Sequence, residues 1–178
     1  MDKIMKWAAI LFFILTAAFT GLHVFCHEWA LPFAITFGTC FYHFAMRLAV
    51  GYALNCIMQN KADYHKAWYQ LRAFEPNLYK LLHVKKWKGN MPTYDSSCFD
   101  PKQHSWEEIA QAMCQAELVH EMIVILSFLP LLAAIPFGAF PVFFVTSLLS
   151  AMYDLSFVIM QRFNRPRIIR LIEKERVD

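Results

Sequence analysis

Four long apolar stretches, approximately from Trp7 to Phe25, Ala30 to Gly51, Leu118 to Pro136 and Phe140 to Met160, constrain this chain more than any other feature. Crossing a bilayer as a helix takes about 20 residues at about 1.5 Å rise each, and all four stretches are about that long. In lipid every backbone N–H and C=O must find its partner within the protein, and an apolar run of this length does so as a helix. The expected fold class is therefore all-α: an integral membrane bundle of four transmembrane helices. A hydrophobic fraction of 58% and a mean hydropathy of +0.34 agree, because a soluble domain is only about half apolar. The 178 residues allow one membrane domain and no separate large soluble one. A formal net charge of +3 is too small to point to nucleic acid.

The distribution of charge sets the expected topology. A short turn at Cys26-His27-Glu28-Trp29 joins the first two spans, and Ala134 to Phe140, with Pro136 and Gly138, joins the last two, so the chain reads as two helical hairpins. Lys3 and Lys6 precede the first span, Lys61 to Lys102 lie between the hairpins, and Arg162 to Arg176 follow the last; neither hairpin tip carries Lys or Arg. The positive-inside rule then puts both termini and the segment from about 58 to 116 in the cytosol, as expected for a multi-pass protein of the cell membrane. Met1 to Lys6 followed by an apolar run also resembles a signal peptide. The run continues past Ala17–Thr20 to Phe25, however, and is long enough to span, so an uncleaved anchor is expected.

The central segment holds most of the polar chain. Tyr64 to Phe74 mixes aromatic and basic residues at helical spacing, which predicts an interfacial amphipathic helix in the headgroup layer. Glu75-Pro76-Asn77 interrupts it, since proline disfavours helix at the preceding residue. A second piece, Leu78 to Trp87, ends in Lys85-Lys86-Trp87-Lys88, a cluster suited either to a phosphate or simply to anionic headgroups. Gly89 to His104, rich in Pro, Asp and Ser, predicts an irregular loop. Ser105-Trp106-Glu107-Glu108 has the spacing of a capping box, so a helix entering the third span should start there.

Three groups of residues carry candidate chemistry. Glu117, His120 and Glu121 fall on one face of a helix, where a carboxylate can orient an imidazole as general base; a polar helix end in the headgroup region is the alternative. Zinc is disfavoured, because Val124 stands where H-E-x-x-H needs its second histidine. Arg162, Asn164, Arg165 and Arg167, with Lys86 and Lys88, form a candidate phosphate site, since guanidinium forks match phosphate oxygens; orientation-fixing, snorkelling arginines are the alternative. Pro166 is expected to end the last helix near Arg165. Deeper in the bilayer, His43, Arg47 and Asp154 are expected either to line a polar cavity leading to His120 or to staple the bundle. The cysteines, Cys26, Cys40, Cys56, Cys98 and Cys114, form no C-x-x-C and read as reduced thiols. Cys98 stands near Asp95, Asp100 and His104, which makes an acyl-cysteine conceivable, although an incidental loop cysteine is the simpler reading. His23, Cys26, His27 and Glu28 read as a solvated hairpin tip rather than a metal site.

In order along the chain, Lys85-Lys86-Trp87-Lys88, Ala116-Glu117-Leu118-Val119-His120 and Gln161-Arg162-Phe163-Asn164-Arg165-Pro166-Arg167 resemble the glycosyl-4,4'-diaponeurosporenoate acyltransferase family of staphyloxanthin biosynthesis. The resemblance covers roughly residues 84 to 170 and is strongest at the last string, with Glu121 standing where an apolar or aromatic residue is expected. It implies a small integral membrane enzyme that esterifies the sugar of a glycosylated carotenoid with a fatty acyl chain. The expected mechanism uses His120, supported by Glu117, as base on the acceptor hydroxyl, with the arginines on the phosphates of an acyl-CoA or similar donor. No cofactor is expected beyond that co-substrate, and the expected partners are a lipid acceptor from the bilayer and the membrane lipids. The same basic interface would also serve a non-catalytic lipid-binding or assembly protein, or an intramembrane methyltransferase or reductase.

Overall fold

The computed structural model describes residues 2–25, 27–92 and 97–176. It is all-helical, 82% helix with no strand among the described residues. The helices are α1 (Asp2–Val24), α2 (Leu31–Met58), α3 (Glu75–Leu81), α4 (Val84–Trp87), α5 (Trp106–Leu126), α6 (Ala134–Phe137) and α7 (Phe140–Glu175). Four segments are long and apolar enough to cross a membrane: Lys3–Val24, Glu28–Met58, Trp106–Phe137 and Phe140–Glu175. Many of their large apolar side chains, among them Trp7, Leu11, Ile14, Ile125, Leu149 and Leu155, are exposed. That much uncovered apolar surface requires lipid around it.

Contacts divide the chain into two compact units, with boundaries that fall within α2, α5 and α7: Met1–Tyr52 with Met122–Tyr153, and Ala53–Glu121 with Asp154–Asp178. In the first unit α1 and α2 pack through aromatic rings. Phe12 stacks on Phe44 at 5.6 Å, Phe13 meets Phe41 at 5.3 Å and Phe19 stacks on Phe33 at 5.2 Å between centroids, each pair worth about 0.5–1.5 kcal/mol beyond the area it buries. Polar side chains bridge the helices inside this apolar shell. Arg47 donates to Ser150 Oγ at 2.8 Å and to the carbonyl of His43, Ser127 and Ser150 share a 2.8 Å hydrogen bond, and Tyr42 donates to the carbonyl of Leu126. The last contact satisfies one of the carbonyls that the end of α5 leaves open. Helix α5 stops there because Pro130 follows; the chain continues as a 3-10 turn, Leu129–Ala133, and then α6. Gly138, at φ +73°, closes α6 in a conformation that a β-carbon disfavours.

The second unit has its own apolar centre, formed by Ala62, Tyr64, Tyr69, Ala110, Cys114 and Ile172, with Met58, Trp106, Ile168 and Ile169 against it. Two expectations are corrected here. Tyr64 to Phe74 is not a helix: apart from one 3-10 turn, Ala67–Tyr69, it is turn and extended backbone. A single 3-10 turn flanked by extended backbone leaves carbonyls without a helical partner, and those of Trp68, Tyr69 and Gln70 accept from Arg162 and Arg165 instead. Nor does Pro166 end the last helix. Helix α7 continues through it to Glu175. A proline in a helix interior costs about 3 kcal/mol. Full burial of a side chain such as Ile172, worth about 1.5–3 kcal/mol, and partial burial of Ile168 and Ile169 beyond the proline are enough to offset it.

The expected helix from Leu78 to Trp87 is also two pieces, α3 and α4, separated at His83, which adopts the left-handed conformation at φ +50°. The loop from Gly89 to His104 is irregular where it is described, with short 3-10 turns at Lys88–Asn90 and Ser97–Phe99; Asp95 lies outside the described residues. The capping box forms as its spacing predicts. Ser105 Oγ accepts from the Glu108 N–H at 3.2 Å, and the Glu108 carboxylate accepts from the Ser105 N–H at 2.8 Å. Ser105→Ala removes one half of that exchange and is expected to lower the stability of the detergent-solubilised protein by about 1 kcal/mol, read from thermal unfolding followed by circular dichroism.

Candidate active site

The strongest electrostatic feature of the second unit is a buried group of four charges. Arg162 on α7 presents its Nε to Glu75 Oε1 at 2.9 Å, one Nη to Glu117 Oε1 at 2.6 Å and to the Trp68 carbonyl at 3.0 Å, and the other to Glu75 Oε1 and the Gln70 carbonyl. A guanidinium has five N–H donors, and these contacts use all five. Arg165, one turn further along, pairs with Glu117 Oε2, donates to the Tyr69 carbonyl at 2.6 Å and lies over the Tyr69 ring. The side chains of Arg165 and Glu117 are 1% and 0% exposed. Two cations and two carboxylates make the cluster neutral, which is what permits its burial: an unpaired charge there would cost several kcal/mol. Tyr79 closes the network by donating to Glu75 Oε2 at 2.7 Å. Burial, and then this carboxylate, raise the pKa of the phenol well above its ordinary range, so Tyr79 stays a donor.

His120, three residues after Glu117 on α5, belongs to a different pair. Its Nδ1 is 2.9 Å from Oδ1 of Asp154 on α7, and its ring stacks on Phe157 at 4.5 Å and 7° between planes. Asp154 is 1% exposed and His120 22%. A buried carboxylate on Nδ1 selects the tautomer with the proton there and leaves Nε2 with its lone pair, while the flat contact with Phe157 fixes the ring plane. Glu121, the third member of the expected trio, accepts from the indole N–H of Trp68 at 3.0 Å.

A third group is cationic and more open. Lys88 donates to Asn164 Oδ1 at 2.6 Å and sits 4.6 Å from the Phe163 ring centroid. Partial burial, and then the nearby charges of Arg167 and Lys85, hold the Lys88 ammonium below its ordinary acidity range. Three cations therefore converge beside the Asn164 amide, and Lys86 and Arg167 are exposed. Mutually repelling cations at a surface favour an anion between them.

Residues 65–174, more than half of the chain, match the glycosyl-4,4'-diaponeurosporenoate acyltransferase family. The chain belongs to that family. It is accordingly a membrane acyltransferase of the glycosylated-carotenoid type. No curated protein and no solved structure matches the chain. The matched segment of this acyltransferase contains the four buried charges, His120 with Asp154, and the Lys88 cluster, but neither of the first two spans.

The structure distributes the expected site residues differently from their spacing in the sequence. Glu117, expected beside His120, is held by Arg162 and Arg165, and Asp154 is the carboxylate on the imidazole. Arg162 and Arg165, expected to face a phosphate, are bound to carboxylates and carbonyls within the protein. Of the other residues of that group, Lys88 is bonded to Asn164 with Arg167 nearby, and Lys86 is exposed. Of the deeper group, His43 and Arg47 belong to the first unit, where His43 is buried and Arg47 is bonded to Ser150. Glu75, which sequence reasoning passed over, is 5% exposed in its pair with Arg162. Its only sequence signal is a carboxylate just before a proline, which reads as a helix start. Glu117→Gln removes the carboxylate paired with buried Arg165 and halves the negative charge of the cluster, and a loss of about 3–5 kcal/mol is expected in denaturant unfolding. Glu107→Gln, which breaks the exposed pair with Arg176, is expected to cost less than about 1 kcal/mol in the same measurement.

Proposed function

We propose that this acyltransferase moves a fatty acyl chain from a cytosolic thioester donor to a sugar hydroxyl of a glycosylated carotenoid, with His120 as general base. The His120–Asp154 pair carries this reading. With Nδ1–H donated to Asp154, Nε2 takes the proton of the acceptor hydroxyl as its oxygen attacks the thioester carbonyl. The carbon–sulfur bond then breaks, and the imidazolium, stabilised by Asp154, returns the proton to the departing thiolate. Phe157 supports the step by limiting rotation of the ring. The acyl group passes directly to the acceptor and no cofactor takes part.

The donor is an acyl-CoA or a similar phosphate-bearing thioester, held at its phosphates by Lys88 and Arg167 with help from Asn164 and Lys86. These side chains present N–H donors and positive charge at an open surface, which suits a ligand that must leave after every turnover. The acceptor enters from the bilayer, as the apolar exterior of the spans suits a long polyene. Glu117 serves as the counter-charge of Arg162 and Arg165, and Glu121 as a clasp on Trp68.

The test is mass spectrometry of acylated product from purified protein in lipid nanodiscs, supplied with acyl-CoA and a glycosylated carotenoid. His120→Ala is expected to lower kcat by about 10²–10⁴-fold, the usual contribution of a positioned base, with its fold retained by circular dichroism. Asp154→Asn is expected to lower kcat within the same range with the KM of the donor little changed. Full activity in His120→Ala would overturn the mechanism. Lys88→Ala combined with Arg167→Ala is expected to raise the donor KM by about tenfold or more and to leave kcat nearly unchanged, as for loss of charge-assisted phosphate contacts.

A further inference from the structure

A second cluster of reactive side chains lies apart from the residues of the proposed mechanism. A cavity of about 250 Å³ is lined by Cys98, His104, Glu108, Lys61, Asn60 and Gln111, among others. It sits against the first turns of α5, where Glu108 and Gln111 lie, and beside the end of α2. None of these residues contributes to the four buried charges, the His120–Asp154 pair or the Lys88 cluster.

The parts fit together as an activated thiol. His104 Nδ1 is 3.5 Å from Glu108 Oε2, four residues on, and that same carboxylate oxygen is fixed by the N–H and hydroxyl of Ser105. Glu108 is thus anchored by the capping box and orients the imidazole in turn, so that Nε2 is the nitrogen free to exchange a proton. Cys98 carries a thiol and is partly buried. The cavity lining also includes Lys61, whose side chain carries positive charge. Positive charge and an adjacent imidazole are the conditions that favour a thiolate over a thiol. A nucleophile, a base and a residue orienting the base around one cavity is the arrangement of a covalent site.

We propose that Cys98 is a thioester-reactive cysteine on which the protein acylates itself. His104 takes the Sγ proton, the thiolate adds to the carbonyl carbon of the acyl donor, and a new carbon–sulfur bond forms at Cys98. The bond to the donor thiolate breaks and His104 returns the proton to it. One thioester is exchanged for another, so no oxidant or further reactant is needed. The transfer step rests on the thioester donor of the proposed function, whereas the reactivity of the thiol does not.

Two measurements on the full chain in nanodiscs test this. The first is alkylation by iodoacetamide near neutral pH, followed site by site in peptide mass spectra. Cys98 is expected to react about tenfold or more faster than Cys56, which is exposed on α2, and to lose that advantage in His104→Ala and in the milder His104→Gln. Equal rates at the two cysteines would overturn the proposal. The second is incubation with an alkynyl fatty acyl-CoA, followed by fluorescent coupling to the alkyne. A hydroxylamine-labile adduct on Cys98 is expected in the wild type and in His120→Ala, and is expected to be lost in Cys98→Ala and Cys98→Ser. An adduct that persists in both Cys98 variants would overturn it. Product formation with no adduct would remove this site and leave the His120 mechanism standing. An adduct without transfer to any carotenoid acceptor would do the reverse.

Discussion

The pairing of Arg162 and Arg165 with Glu75 and Glu117 is the constraint on which the second unit depends. These residues come from three places, α7, the start of α3 and the middle of α5, and the guanidinium groups also hold the carbonyls of Trp68, Tyr69 and Gln70. A segment with helical composition therefore lies extended across α7. Each carbonyl that accepts from an arginine is one that a helix would have used internally. The cluster is buried because its charges cancel and because all five donors of Arg162 meet an oxygen. Neither condition survives the loss of a single member, so the segment, α3, α5 and α7 are locked to one another.

That lock also separates the roles of the ionisable side chains. The residues holding the backbone together are buried and bound within the protein, which unsuits them to a ligand that comes and goes. Those left partly open are His120, on its buried Asp154, and the cations around Lys88 and Asn164. One group offers a lone pair held in a defined direction, and the other offers charge and N–H donors at a surface. The proposed acyl transfer from a phosphate-bearing thioester uses both. Partial burial and the nearby charges of Arg167 and Lys85 together lower the pKa of Lys88.

Much of the architecture was legible in the residues. The four spans, their joining turns and the capping box at Ser105 followed from run length, proline and glycine placement and a four-residue spacing, all of which act within one or two helical turns. The Tyr64–Phe74 segment and the helix through Pro166 were misread for a common reason. Local propensity is worth a few tenths of a kcal/mol per residue in the first case and about 3 kcal/mol in the second, and buried ion pairs and packed isoleucines outweigh it. Helical spacing put Glu117 and His120 on one face correctly, yet the two chose different partners on α7.

By itself the sequence determined that this is a four-span helical membrane protein, and its strings at Glu117–His120 and Gln161–Arg167 were enough to point to its acyltransferase family. Periodicity and motif are properties of neighbours along the chain, and a sequence shows them directly. Only the tertiary structure decided which carboxylate meets which side chain, placing Asp154 on His120 and Glu117 on the arginines. Those choices join residues 34 and 45 positions apart through pair energies that fall steeply with distance in a low-dielectric interior. The helical period cannot report them, because it says which way a side chain points and not what it meets.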